Sequence, residues 1–295
     1  MLYCLTVLKH LEMVGAKNMK QKLLVLDIDG TLTNSKKEIT PKTKNKIREI
    51  LEMGHMVMIA SGRPTPGVQR YVDELELKKY GGYTITFNGA RVQNCTTGQD
   101  IYEHKMKQKF VEPVYRFAKE KKMGIATYSK DMDKGTFPQI IVADSIGKYH
   151  QLESDLTGLS IDSVEDFVKA IDYDPYKLLL TDDPAISEQH MLELRDLYGE
   201  ELNVIRSEPF FVEVMAKGID KATTLAKIIG PLGIEYENTI CCGDGFNDIS
   251  MVRYAAVGVA MENAQEAVKE AANYITSSND NDGIAEVIDK FILSE

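Results

Sequence analysis

The stretch Leu23-Leu24-Val25-Leu26-Asp27-Ile28-Asp29-Gly30-Thr31 constrains this chain more than any other: an apolar run breaks off at two carboxylates one residue apart, followed by a glycine. A continuous aliphatic run bounded by turn signals reads as a parallel strand buried on both faces. Ligands of open α/β sheets bind beyond the carboxyl ends of such strands. Side chains two residues apart point the same way, so Asp27 and Asp29 are expected on one side of that edge. Two like charges so close need a cation. The economical reading is a hard divalent metal, with one carboxylate free to attack an electrophile and the other to move a proton. Asp-x-Asp-Gly is equally the composition of a solvated surface turn, and the stretch by itself leaves both readings open.

The pattern recurs. Thr40-Pro41 supplies an N-cap and first turn, Ile47, Ile50 and Leu51 form an apolar stripe, and Gly54 closes that helix. A second apolar run, His55 to Ala60, ends in Ser61-Gly62-Arg63-Pro64. There a hydroxyl and exposed N–H groups could hold a phosphoryl oxygen, although the same four residues also read as a plain loop into the next helix. A third strand, Tyr83 to Phe87, ends at Asn88-Gly89. Alternating strands and helices predict a doubly wound parallel sheet.

From about Ala90 the rhythm changes. A hairpin is expected, then a helix through Phe110, Val111, Val114 and Phe117, and strands Gly124–Tyr128 and Gln139–Val142. A helix from Ser163 with Asp166 completing its capping box follows, then a strand Lys177–Thr181, a helix Pro184–Tyr198 and a strand Asn203–Arg206. This is an inserted α+β domain. Near Pro209 the chain is expected to return to the first domain with Phe210 to Met215, then Lys217-Gly218-Ile219-Asp220-Lys221 opening a helix. Lys221 near a helix start suits an anion, but a lysine on a helix face is more often simply solvated. The run Thr239-Ile240-Cys241-Cys242 ends in Gly243-Asp244-Gly245-Phe246-Asn247-Asp248, a second acidic strand end. Asp244 and Asp248 supply the oxygens that the first pair lacks for a six-coordinate hard cation.

Composition narrows the partners. With 45 acidic against 35 basic residues the formal charge is -10, and no run of Lys and Arg offers a stripe for a phosphate backbone, so nucleic acid is not expected. An anionic ligand would have to be captured by local cations and metal. No stretch reaches the roughly 20 apolar residues of a membrane helix. Cys4, Cys95, Cys241 and Cys242 lack zinc-type spacing, which predicts a reduced, cytoplasmic protein, with the vicinal pair read as small apolar residues of a core strand. The opening Met1 to Leu8 is apolar but lacks a basic leader and a cleavage pattern. Met19 stands just before the first core strand, so residues 1–18 read as an extension.

The order Asp27-Ile28-Asp29-Gly30-Thr31, Ser61-Gly62-Arg63, Lys217-Gly218-Ile219-Asp220-Lys221 and Gly243-Asp244-Gly245-Phe246-Asn247-Asp248 resembles the four motifs of the haloacid dehalogenase superfamily. Asn88-Gly89-Ala90 and Asp282-Gly283 bring it closest to the Cof-type sugar-phosphatase branch. Each motif is short, but four in order, each at an expected strand end or helix start, are specific together. Ser61 stands where that motif often has threonine, and the extension has no counterpart. The resemblance implies a Rossmann-like parallel-sheet core, residues 19–90 and 208–295, with an α+β cap inserted at 91–207. It implies that Asp27 attacks phosphorus while Asp29 protonates the leaving alcohol and then activates water, with Ser61 and Lys221 on the phosphoryl oxygens. Magnesium would be held by Asp27, the Asp29 carbonyl and Asp244, with Asp248 and Asn247 close by. Gly30, Thr31, Gly62, Arg63, Asn88 and Asn247 become candidate substrate contacts.

Three functional classes follow: a magnesium-dependent phosphatase of small phosphorylated metabolites such as sugar phosphates or phosphorylated cofactors, a phosphosugar mutase, and a non-catalytic regulator that binds a phosphometabolite. Retention of every motif carboxylate disfavours the regulator. A dehalogenase has no task for Asp29, whereas a leaving alcohol needs an acid. No stretch specifies an oligomeric state.

Overall fold

The computed structural model describes residues 20–294, so the expectations for residues 1–18 and for Cys4 lie outside the described residues. β1 (Leu23–Leu26) has all four side chains buried, as a two-sided parallel strand requires. The helix Pro41–Glu52 follows, its first turn fixed by Thr40, whose hydroxyl accepts from the Thr43 N–H at 3.2 Å. It buries Thr43, Ile47, Ile50 and Leu51 against the sheet, and Gly54 ends it at φ +91°. β2 (Met56–Ala60), the helix Thr65–Glu74 and β3 (Tyr83–Thr86) complete the first winding.

The next two strands correct the expected domain boundary. β4 (Arg91–Asn94) pairs antiparallel with β3, and β5 (Asp100–Glu103) with β4, so the hairpin extends the larger sheet instead of starting the insert. The insert builds its own sheet from β6 (Gly124–Tyr128), β7 (Ile140–Ala143), β8 (Ile161–Val164), β9 (Lys177–Thr181), β10 (Leu202–Glu208) and β11 (Phe211–Ala216). Phe211–Ala216, expected to rejoin the first domain, instead forms a hairpin with β10 and lies between β10 and β9 in this second sheet. By strand pairing, the chain therefore changes sheets after Glu103 and returns after Ala216, not at 91 and 207.

Two smaller corrections fall inside the insert. Ser163 lies in strand β8, and Asp166 caps the short helix Phe167–Ala170 by accepting from Lys169 N at 3.0 Å. The helix Lys148–Thr157 was not anticipated. Otherwise the helices Val111–Lys121 and Ser187–Tyr198 and the strands follow the pattern read from the sequence.

The larger sheet is completed by the helix Lys221–Ile228, β12 (Thr239–Gly243), β13 (Val257–Met261) and β14 (Tyr274–Thr276). Its order is β14-β13-β12-β1-β2-β3-β4-β5, parallel from β14 to β3. β1 is central, flanked by β12 and β2, so the ends of these three strands lie side by side. Cys241 and Cys242 are buried free thiols within β12, and desolvation pushes both well above the ordinary range. Among the described residues no helix is long and apolar enough to cross a membrane.

The smaller sheet runs β10-β11-β9-β6-β7-β8. The register Val212↔Leu180↔Ile125 and Val214↔Leu178 places apolar residues on one face, where they join the insert's core. The register Glu213↔Leu179↔Ala126 defines the other face, and Lys177 and Tyr128 share it by period-two alternation. That face meets the larger domain: Phe87 stacks on Tyr176 with centroids 4.7 Å apart and meets Tyr128 edge-on at 5.3 Å.

Candidate active site

Asp27 leaves β1 and its backbone N–H still donates to the Cys242 carbonyl, which keeps the turn in line with the strands. Its carboxylate Oδ1 lies 2.7 Å from the Lys221 Nζ, and the same ammonium lies 2.6 Å from Asp248 Oδ1. Lys221 is the first residue of its helix, with Asp220 as N-cap accepting from Thr223 N at 2.8 Å, so the cap fixes where the lysine points. Its side chain is fully buried. Burial alone would pull its pKa down, but the Asp248 and Asp27 carboxylates more than offset this and hold it charged.

Both oxygens of Asp248 are engaged: Oδ1 accepts from the lysine while Oδ2 accepts from the Asp244 and Gly245 N–H groups at 3.0 and 2.9 Å. This ties the loop after β12 to the lysine. Asp244 is fixed from the opposite side by the Thr31 hydroxyl, donating to Oδ1 at 2.7 Å. The approach of the two loops requires Gly30. Its φ is +85°, and a Cβ there would sit 2.3 Å from Asp244 Oδ2.

Asp27, Asp244 and Asp248 each offer an oxygen within 4.8 Å of the others. Burial, then the neighbouring Asp248 charge, raises Asp27 well above the carboxylate range despite Lys221, and burial pushes Asp244 up to about 6. Three carboxyl groups share one ammonium, so ionising all of them calls for further positive charge. An all-oxygen donor set with that deficit fits a hard divalent cation.

Asp29 is paired with cations of its own. Arg63 grips it bidentately, Nε to Oδ2 and Nη2 to Oδ1, both 2.9 Å, and Lys37 adds a third bond at 2.9 Å. Burial would raise Asp29, but these cations prevail and hold it below the usual range, as a carboxylate. Arg63 also donates to the Leu156 carbonyl of the insert at 3.1 Å.

Ser61, buried at the end of β2, accepts from the Arg63 N–H at 3.2 Å, and its carbonyl accepts from the Asn88 N–H at 3.1 Å. Asn88, at φ 54°, accepts from the Asn247 amide at 3.0 Å and donates to Glu213 Oε2 at 2.9 Å. Gly62 leaves room for the Asn88 amide, whose oxygen would lie 2.9 Å from a Cβ at that position. All the residues singled out in the sequence thus fall at the carboxyl edge of the parallel strands, in three groups: Asp27, Lys221, Asp248, Asp244, Thr31 and Gly30; Asp29 with Arg63; and Gly62, Asn88 and Asn247, with Ser61 bonded to both Arg63 and Asn88.

Sequence reasoning missed Lys37, Lys177 and Glu213. The last two carried a readable signal, since each is a charged residue inside a run expected to be a buried strand. Lys37 carried none.

This chain belongs to the haloacid dehalogenase-like hydrolase family, whose sequence model matches residues 24–288. A haloacid dehalogenase-like hydrolase from Bacteroides thetaiotaomicron is 38% identical, with a TM-score of 0.85 over 92% of this chain and 100% of that one. The subclass IIB sugar phosphatase BT4131 is 28% identical, with a TM-score of 0.78 over 92% and 99% of the two chains. The 5-amino-6-(5-phospho-D-ribitylamino)uracil phosphatase YcsE of Bacillus subtilis is 30% identical over 274 residues, 92% of this chain and 96% of its own. Within the family the chain is a phosphoric monoester hydrolase.

Proposed function

We propose that the chain is a magnesium-dependent, cytoplasmic phosphatase that hydrolyses small phosphomonoesters through an aspartyl phosphate on Asp27. The observation that carries this reading is the Asp27–Lys221–Asp248 triad beside Asp244 at the end of the central strand. Lys221 neutralises part of the charge on Asp27 and orients it, so that one carboxylate oxygen is free to attack phosphorus. Asp27, Asp244, Asp248 and the Asp29 carbonyl would hold magnesium, which when bound balances the carboxylates and the incoming phosphoryl group.

As Asp27 forms its bond to phosphorus, the bond to the ester oxygen breaks and Asp29 gives that oxygen a proton. For this Asp29 must first be protonated. Phosphoryl oxygens competing for Arg63 and Lys37 would release it from the ion pairs that now keep it ionised. The ionised form then takes a proton from water, whose oxygen attacks the aspartyl phosphate, releasing inorganic phosphate and restoring Asp27. Ser61 and Lys221 bind the phosphoryl oxygens.

Sugar phosphates and 5-amino-6-(5-phospho-D-ribitylamino)uracil, the substrate classes in the names of BT4131 and YcsE, are the first candidates. The test is inorganic phosphate release across such a panel, with magnesium and with EDTA, for the wild type and Asp27→Asn. Release that requires magnesium and disappears in Asp27→Asn is expected. Undiminished turnover by that variant would refute the mechanism, and transfer of phosphate to a second sugar without release would indicate a mutase.

A further inference from the structure

Lys177 on β9 and Glu213 on β11 form an ion pair at 3.0 Å, with side chains only 3% and 7% exposed, on the face of the smaller sheet that meets the catalytic edge. Apart from Thr181 at the end of β9, the other buried positions of these strands are apolar. Such a pair is a poor way to stabilise a sheet, because desolvating two charges costs as much as, or more than, their attraction returns, and apolar residues of similar size commonly do better. What the pair touches on the larger domain is specific. Lys177 Nζ reaches the Gly62 carbonyl at 3.4 Å, next to Ser61, and Glu213 Oε2 accepts from Asn88, which in turn accepts from Asn247. The pair therefore spans the two loops that carry Ser61 and Asn88, from the insert's side of the catalytic edge. Tyr128, 5.5 Å from Lys177 by its ring centroid and donating to Glu153 at 2.6 Å, continues the same wall.

We propose that Lys177 and Glu213 are the residues that select the leaving group, reading its hydroxyls; this rests on the phosphatase reading above. A hydroxyl both donates and accepts, so it can accept from Lys177 while donating to Glu213 and leave every polar group paired. An apolar leaving group cannot. It would have to separate the pair or bury it without compensation, which is how a polar site rejects an analogue lacking the hydroxyl.

The experiment compares kcat/KM for a hexose 6-phosphate with that for p-nitrophenyl phosphate, whose leaving group has no aliphatic hydroxyl and needs no protonation. Wild type, Glu213→Gln, Lys177→Met and the double variant Lys177→Met/Glu213→Leu are measured, each with a thermal melt. The double variant removes both charges together and so keeps the test open if a single variant, left with one buried charge, does not fold. The expected result is a fall in the ratio of the two kcat/KM values of about 10- to 100-fold, the loss typical of one or two hydrogen bonds to charged groups. The change lies mainly in KM for the sugar ester. A ratio within about twofold of wild type in a cooperatively melting double variant overturns the proposal, as does an equal loss on both esters. If the wild type releases phosphate from neither ester, the phosphatase reading fails instead.

Discussion

Replacing Lys221 with methionine tests the electrostatic core of the site without reference to any substrate. The side chain is fully buried, and its ammonium is bonded at 2.7 and 2.6 Å to carboxylates of Asp27 and Asp248 that are 9% and 1% exposed. Removing one partner of a buried pair typically costs about 3–5 kcal/mol, because the remaining charge is neither solvated nor compensated. Taking about 4 kcal/mol, and about 3 °C of melting temperature per kcal/mol for a chain of this size, Lys221→Met is expected to melt about 12 °C below wild type in EDTA at pH 7.5. The pH dependence has a definite sign. Asp27 already sits above its ordinary value, and loss of the ammonium raises it further. A carboxyl group with a raised folded-state pKa binds more protons folded than unfolded, so it contributes less stability as pH rises through that window. The deficit should therefore shrink on acidification towards pH 5. Adding Asp248→Asn should recover part of it at pH 7.5. Differential scanning calorimetry reads all three. A melting temperature within about 3 °C of wild type, flat with pH, would show that the triad is not held by the lysine charge.

Gly30→Ala should be harmful out of proportion to one methyl group: the left-handed backbone costs about 1–2 kcal/mol and the Cβ displaces Asp244 from a position 2.3 Å away. Its melting point should fall by about 5 °C and the magnesium concentration for half-maximal phosphate release should rise, whereas unchanged magnesium dependence would separate Gly30 from Asp244. His150, which accepts from the Gly147 N–H, is pushed down to about 4 by burial from an ordinary 6.5. The unfolded chain then binds more protons between those values, so stability is lost as pH falls from 6.5 to 4, and about 2.5 pH units at 1.36 kcal/mol each gives about 3 kcal/mol. Urea unfolding at pH 7 and pH 4 should show His150→Gln losing less stability than wild type, and an equal loss would refute the assignment.

Local chemistry was enough to determine much of this protein. The aliphatic run Leu23–Leu26 can be satisfied only by burial on both faces, Thr40 can cap only the helix it precedes, and Asp166 caps a helix even though the residues before it are a strand. The four acidic, hydroxyl and lysine segments were legible as strand ends and a helix start because apolar runs terminate at them. The domain boundaries were not. Phe211–Ala216 and Arg91–Asn94 are extended in either domain, and which sheet a strand joins depends on hydrogen bonds to partners distant in sequence, which the strand's own pattern does not encode. The same holds within the site. Sequence named Asp29 and Arg63 but not their bidentate pairing, and it offered no sign that Lys37 closes the other side of Asp29. Lys177 and Glu213 could be noticed as charges in buried strands, yet only the register of β9 against β11 puts them on one face, and only the packing of the two sheets brings that face to Gly62 and Asn88. Residue type sets what a group can do, and the tertiary structure sets which groups it meets and whether water reaches them, and hence whether a carboxyl group holds its proton.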